Sequence, residues 1–394
     1  MSASLSVRKV ESKADFNTFI AFPWTLYKDS PHWVPPLLSM QREKLDKAKN
    51  PTWHHLEGDF FIAWRGDQPV GTIAAFVNHR HNEFHDENIG FFGLFEVVDD
   101  QDTANALLTK AAETVRALGA EALRGPASLS TNEECGILIE GFDDPPVVLY
   151  PYNPPYYQRL LETAGFEKVI DLYSHYLTLE GTRESEKVQK SFRLIDRNNQ
   201  RRGIVARPPD MKHLKQEFVI FKEIYNQAWE KNWGFVPFTD EELDDLVENL
   251  GMFFEPTLTV FAEVHGEPAG FLLGLPDMNQ ALHRARPRPG KPDLLSMVQV
   301  YWHWKLRSKI TRVRIPLMGV KKQFRGIGVE AAMFADLFKR VVPAAAKRGW
   351  AYADGGWVLE TNDAMNRLTE TFNGRIYKRF RMYERKLAPE KASE

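Results

Sequence analysis

The residues best suited to chemistry are crowded into Val320 to Gly328, where Lys321, Lys322 and Arg325 accompany Gly326 and Gly328. Cations and glycines at this density suit an anion, because glycine lets the backbone approach a charged ligand and the cations offset its charge. The neighbouring elements set where that anion would lie. Val313 to Val320 is an apolar run of strand type, and Ala331, Phe334, Leu337, Phe338 and Val341 recur at helical spacing directly afterwards. The stretch therefore reads as a strand turning sharply into a helix. The first amides of a helix lack internal acceptors and lie at the positive end of its dipole, so the turn is a candidate phosphate cradle. A plain tight turn is the competing reading of two close glycines. The Rossmann fingerprint is excluded because Ala331 stands where it needs a third glycine, and no Gly-Lys-Ser/Thr follows to make a Walker loop.

Other groups are weaker candidates. Cys135 is the only cysteine, which excludes an internal disulfide and a cysteine-rich metal site. His79, His81 and His85 lack a recognised ligand spacing, so a solvated polar loop competes with a metal reading, and no metal is assigned. With 43% hydrophobic and 26% charged residues, 394 residues make globular material for two domains, and a net charge of -2 argues against a protein built mainly to coat nucleic acid or an anionic membrane while leaving room for local basic patches. No apolar run approaches the ~20 residues needed to span a bilayer, and Met1 to Phe16 has no signal-peptide core, so a cytoplasmic location is expected.

Along the chain, Leu5 to Val10, Phe60 to Trp64, Val70 to Val77 and Ile89 to Val98 read as strands, and Ala104 to Leu118 as a helix. The connection Asp99 to Thr103 occupies the same strand-to-helix position as the glycine-rich turn. It is acidic and lacks glycine, which suits helix capping and opposes a diphosphate. Ala63 to Gly71 matches Ala262 to Gly270 with Ala, Pro and Gly in register, and Asn153 to Gly165 matches Asn362 to Gly374 in length. Two copies of one unit are expected, residues 1–185 and 186–394. Between them, Glu180 to Arg202 reads as strand ends and a linker. Leu214 to Trp229 follows as a helix, Asn232 to Phe238 as an aromatic loop, and Thr239 with Glu242 as a capping box. Leu294 to Leu306 reads as a helix whose Trp302 and Trp304 pack in a core or line a pocket. Tyr352 to Leu359 reads as a strand, Asn362 opens a helix, and Gly374 to Arg385 is a final strand. Thr131 to Tyr157 reads as a long irregular segment.

Gln323-x-x-Gly326-x-Gly328, with Arg325 before the first glycine, resembles the pyrophosphate loop of the GNAT family of acyl-CoA-dependent N-acyltransferases. The downstream strand, Asn362, helix, Gly374 and last strand resemble the second half of that family's pattern. Asn153, Tyr156, Tyr157, Leu160, Gly165 and Phe166 resemble it in the first copy. Gly136 to Phe142, Pro145-Pro146 and Tyr152 to Tyr157 are similar to a group of bacterial two-unit GNAT-like proteins. The resemblance implies a mixed α/β fold, two tandem units, each a twisted, mostly antiparallel sheet flanked by helices. It implies acetyl-CoA or another acyl-CoA as co-substrate, with Met318, Val320, Gln323, Phe324, Arg325, Gly326, Ile327, Gly328 and Asn362 binding it. Transfer to an amine of a small molecule or peptide would follow, with backbone N–H near Gly319 or Val320 holding the oxyanion. Glu360, at the end of the strand beside the expected thioester, reads either as the base for that amine or as an exposed cap of the following helix. Thr369 stands where the family often has a tyrosine acid. The first copy, lacking the phosphate loop, would shape the acceptor site through Asn132, Glu133, Tyr152 and Tyr156; the competing reading is that the segment carrying them only covers the interface between the halves. Arg284 to Pro292, basic and proline-rich, is a solvated loop or a dock for an acidic partner or the nucleotide 3′-phosphate. A non-catalytic acyl-CoA-binding or partner-docking module is the alternative; nucleic acid and a membrane span are not expected.

Overall fold

Strand alternation and turn residues resolve the first half into β1 (Leu5–Lys9), α1 (Lys13–Leu26), α2 (Leu38–Leu45), β2 (Leu56–Arg65), β3 (Gln68–Asn78), α3 (His79–His85), β4 (Ile89–Val97), α4 (Gln101–Ala117), β5 (Ala122–Gly125), β6 (Ala127–Ser128), β7 (Ser130–Cys135), β8 (Ile137–Glu140), α5 (Tyr157–Thr163) and β9 (Glu167–Thr178). The second half gives α6 (Leu179–Glu184), α7 (Glu186–Arg202), β10 (Ile204–Arg207), α8 (Leu214–Ala228), α9 (Asp240–Gly251), β11 (Thr259–Val264), β12 (Glu267–Pro276), α10 (Asn279–Ala285), α11 (Asp293–Tyr301), β13 (Arg312–Val320), α12 (Val329–Arg348), β14 (Tyr352–Leu359), α13 (Asp363–Thr371) and β15 (Arg375–Lys386). The computed structural model describes residues 4–228, 233–251, 253–307 and 310–388. Trp229 and Asn232, each at the end of a stretch named above, lie outside them.

The chain forms two mixed α/β units. One takes residues up to Asp171, Ala285–Val298 and the stretch from Arg379; the other takes Leu172–Arg284 and Gln299–Lys378. In the first, β1 to β5 lie in sequence order, antiparallel except for the parallel pair β4–β5. The crossover helix α4 buries Leu107, Leu108, Ala111 and Val115 on Phe61, Ile73, Ala75 and Phe92. In the second, β10 to β14 repeat this plan with β13–β14 as the parallel pair, and α12 buries Met333, Phe334, Leu337 and Phe338 against Val260, Leu272, Val313 and Ile315. On its other face, α8 and α9 bring Phe221, Ile224, Tyr225 and Leu243 onto Phe261, Phe271 and Leu273.

The repeat extends to hydrogen-bond register. Ala63 pairs with Gly71 and a bulge follows; Ala262 pairs with Gly270 and a bulge follows. Gly71 then faces Val97, as Gly270 faces Val320. In each unit the sheet takes in a strand from the other half of the sequence. Residues 172–178 of β9 pair with β14, and Tyr383–Lys386 of β15 pair with β5.

Three local readings are corrected. Residues 180–202 are two helices, not strand ends and a linker. Ser185 caps α7, Gly203 ends it in the left-handed region, and Val188, Phe192 and Ile195 form a thin helical stripe on the core, a signal masked by its many charges. His79 to His85 is a helix capped by Asn78. The segment from Thr131 to Tyr157 contains most of β7 and all of β8, so part of it is sheet.

Candidate functional site

The parallel pair β13–β14 is joined only along its first half. Its register runs from Arg312↔Tyr352 to Ile315↔Gly355, while β13 continues to Val320 and β14 to Leu359. Pro316, which has no N–H to donate, stands where the register stops. The strand ends therefore bound a wedge. Lys321 N–H donates to Ala269 O of β12 at 2.9 Å, so by strand alternation the polar groups of Met318 and Val320 face the opposite side, into the wedge.

From that end of β13 the chain turns through Lys321–Gly328 into α12. Gly326 and Gly328 both lie in the left-handed region, φ 74° and 106°, and α12 has no side-chain cap at Gly328. A Cβ at Gly326 would meet nothing within 4 Å, whereas one at Gly328 would lie 2.7 Å from Asn198 Nδ2. Asn198 in turn donates to Ile327 O at 2.9 Å, fixing the turn. The uncapped helix end and the open ground over Gly326 fit an anion. The side chains divide differently from expectation. Lys321 is buried and paired with Glu223 at 2.6 Å, and Arg325 folds back onto Val320 O and Ala228 O. Both brace the loop. Lys322 and Gln323 are exposed, Gln323 Nε2 lying 3.4 Å from Glu267, and Phe324 and Ile327 pack on the core.

Glu360 follows the last residue of β14, half-buried. Asn362, not Glu360, caps α13, its Oδ1 accepting from Met365 N–H at 3.2 Å. Thr369 is buried and its hydroxyl donates to Asn366 O at 2.8 Å, so it is turned into its own helix.

Several polar residues escaped the sequence reading. Asp354 is fully buried in β14 and accepts from the hydroxyls of Ser174 and Tyr377, with Arg314 4.0 Å away. Neighbouring Arg312 is buried against Asp277 at 2.8 Å. His175 is held below the usual imidazole range by burial, and its Nδ1 has no hydrogen-bond partner among the described residues. The available signal was an arginine or aspartate inside an otherwise apolar strand run, since buried charges require partners. Beside these, Phe218, Phe221, Leu246, Phe261, Phe271 and Leu273 line an apolar groove between α8, α9 and the sheet.

The corresponding place in the first unit is filled. Val97, the register equivalent of Val320, has its N–H bonded to Tyr157 Oη at 2.8 Å and its carbonyl bonded by Tyr156 O–H at 2.7 Å. At the start of α4, Asp100 caps Thr103 N–H and is paired with Arg65 at 2.7 Å. Asp99 is paired with Arg159. Glu96 accepts from Tyr27 at 2.5 Å and from Tyr157 at 2.8 Å. Burial pushes its carboxyl up to about 7, against the pull of those two hydroxyls. The folded protein therefore holds a proton on Glu96 across a window, roughly pH 4.5 to 7, in which the unfolded chain has lost it. Stability falls as pH rises through that window. Glu96→Gln is expected to gain about 3 kcal/mol on the wild type between pH 4.5 and 8, and nothing below pH 4.5. Urea midpoints at both pH values measure this; parallel pH profiles for the two proteins would remove the assignment.

Of the acceptor candidates, Tyr152 and Tyr156 join the Glu96 cluster. Tyr152 packs on Tyr27 with ring centroids 5.6 Å apart and shares a hydrogen bond with Ser30, while Tyr156 packs on Tyr157. Asn132 and Glu133 lie on β7 instead, Glu133 paired with Lys44 at 2.9 Å. Among the described residues no group of three or more His, Cys, Asp or Glu is placed to hold a metal ion. His81 bonds Glu87 at 3.0 Å, and burial lowers its pKa to about 4.

No family model matches the chain. Among known proteins, Protein YghO of Escherichia coli (strain K12) is 34% identical over 383 residues, covering 97% of this chain and 95% of that one. Bacterial ceramide synthase of Caulobacter vibrioides is 33% identical over 387 residues, covering 98% of each. Among solved structures, a tandem GNAT protein from the clavulanic acid biosynthesis pathway superposes with a TM-score of 0.54 at 11% identity, over 98% of this chain and 99% of that one. A GCN5-related N-acetyltransferase from Sphaerobacter thermophilus gives 0.50 at 14% identity, over 98% and 96%. At those identities the two structures share the fold.

Proposed function

Because the chain belongs to the family of Protein YghO and bacterial ceramide synthase, on a fold of two GCN5-related N-acetyltransferase units, we propose that it transfers an acyl group from acyl-CoA to the amine of a long-chain amino alcohol. The observation that carries acyl-CoA binding is the β13–β14 wedge continuing into an uncapped, glycine-rich helix start. The diphosphate of the thioester substrate is assigned to the turn Gln323 to Gly328, with Phe324 and Ile327 anchoring the turn and Arg325 bracing it. The pantetheine arm is assigned to the backbone of Met318 and Val320, and Asn362 to the adjoining helix start. The residues of this site belong to the second unit.

An aliphatic amine is protonated at neutral pH, the lysine reference being ~10.4, and must lose a proton to attack. Glu360 is assigned as the base. As the amine nitrogen bonds to the thioester carbon, the Val320 N–H, which faces the wedge while Gly319 is turned to β12, stabilises the oxyanion. The C–S bond then breaks and the thiolate takes a proton from water, since the Thr369 hydroxyl is engaged within α13. The N-terminal unit is assigned no coenzyme A, because Tyr156 and Tyr157 occupy Val97 and carboxylates surround the start of α4.

The acceptor class rests on the name of the ceramide synthase relative and on the apolar groove beneath α8 and α9, which suits an alkyl chain. Purified protein supplied with acyl-CoA thioesters is expected to release thiol with a long-chain amino alcohol and not with lysine peptides or amino sugars. Equal release with the hydrophilic amines would overturn the acceptor class. No release with any amine, beside retained acyl-CoA binding, would leave a non-catalytic binding module.

A further inference from the structure

Helix α11 is inside out. Leu294, Met297, Val298 and Tyr301 follow the i, i+3, i+4, i+7 spacing that places side chains on one helix face, and that face is exposed, Leu294 by 70% and Val298 by 59%. Leu295 and Trp302 widen it, both also exposed. The residue turned inward is Ser296, at 0%. An amphipathic helix in water shows the reverse arrangement, so this stripe is built for a covering that the described residues do not supply.

Charge identifies the covering. Between Arg284 and Arg307 stand Arg284, Arg286, Arg288, Lys291, Lys305 and Arg307 against one carboxylate, Asp293, which is held by the Ser39 N–H of α2 at 2.5 Å. The protein as a whole carries -2, so the cationic excess is local. The loop is also fixed in place, Trp24 Nε1 donating to Pro287 O at 2.8 Å. A second copy docking on the same patch would bring these cations together, which disfavours self-association. A surface of anionic headgroups over hydrocarbon satisfies both the cations and the stripe, and Tyr and Trp are the residue types enriched at that depth.

We propose that α11 and its basic flanks dock the protein on an anionic lipid surface, lying in the interface without crossing it. No described helix is long and apolar enough to cross a membrane. The inference goes beyond the acyl-transfer reading and stands without it, because binding to vesicles needs no turnover.

Co-sedimentation with vesicles of phosphatidylcholine alone, and of phosphatidylcholine with phosphatidylglycerol in equal amounts, tests it. The wild type is expected to sediment with the anionic vesicles, less so as salt rises, and not with the neutral ones. Leu294→Ser with Val298→Ser should lower the partition coefficient at least tenfold, on the scale of losing two buried alkyl side chains. Arg286→Gln with Arg288→Gln should lower it about fivefold for each cation removed. Melting temperatures should not change, since all four side chains are exposed. Failure of the wild type to bind anionic vesicles, or unchanged binding by both double variants, would overturn the proposal. So would a dimer in light scattering that Leu294→Ser with Val298→Ser disperses while no vesicle is bound, which would make the stripe a self-interface.

Discussion

Gly326→Asp is expected to bind coenzyme A about a hundredfold more weakly than the wild type, the scale of a like charge placed against a bound anion, with its melting temperature almost unchanged. The position has room, since a Cβ there meets nothing within 4 Å, and φ is 74°, a region that Asp and Asn tolerate better than other side chains. The variant therefore folds, and its carboxylate lies where the diphosphate must approach the α12 amides. Gly326→Asn separates charge from backbone strain, because it has nearly the same shape and no charge; it should retain most of the affinity. Titration calorimetry with coenzyme A reads both variants. Equal affinity for wild type and Gly326→Asp would move the cofactor site elsewhere.

Glu360→Gln should lower kcat about a hundredfold or more, the ordinary contribution of a general base, and leave coenzyme A affinity intact. The helix-capping role that would make this residue merely structural belongs to Asn362, whose Oδ1 holds the Met365 N–H. The pH profile distinguishes the two roles. Loss of the base should flatten the acid limb of the rate profile, which a structural effect would only scale down. A variant that keeps the full rate at every pH would pass the proton to water or to the substrate.

What the sequence determined by itself was local. Hairpin turns, the capping box of Thr239 and Glu242, and the Asp100 cap rest on backbone rules that act within a few residues, and each formed at its place. The repeat of Ala63 to Gly71 in Ala262 to Gly270 was legible because a bulged hairpin demands the same residues wherever it occurs, and the two registers agree. The tandem GNAT-like fold was what the family resemblance of the glycine-rich turn and its downstream elements implied, and the structure has that fold.

Tertiary structure alone decided which partner each element took. Side-chain alternation marks β9 and β15 as strands, but backbone hydrogen bonding is common to all strands and names no partner. Their pairing with β14 and β5 was therefore invisible. The same reason hid the β13–β14 wedge, and with it the contrast between Val320, which opens toward substrate in our reading, and Val97, which two tyrosines close. Glu96 shows the limit in energetic terms: its residue type is ordinary, and its raised pKa arises from burial that residues distant in sequence supply. Helix α11 shows it in packing terms. Its apolar spacing reads as a core helix, and only the folded chain reveals that the core lies on the side of Ser296, leaving the leucines to face outward.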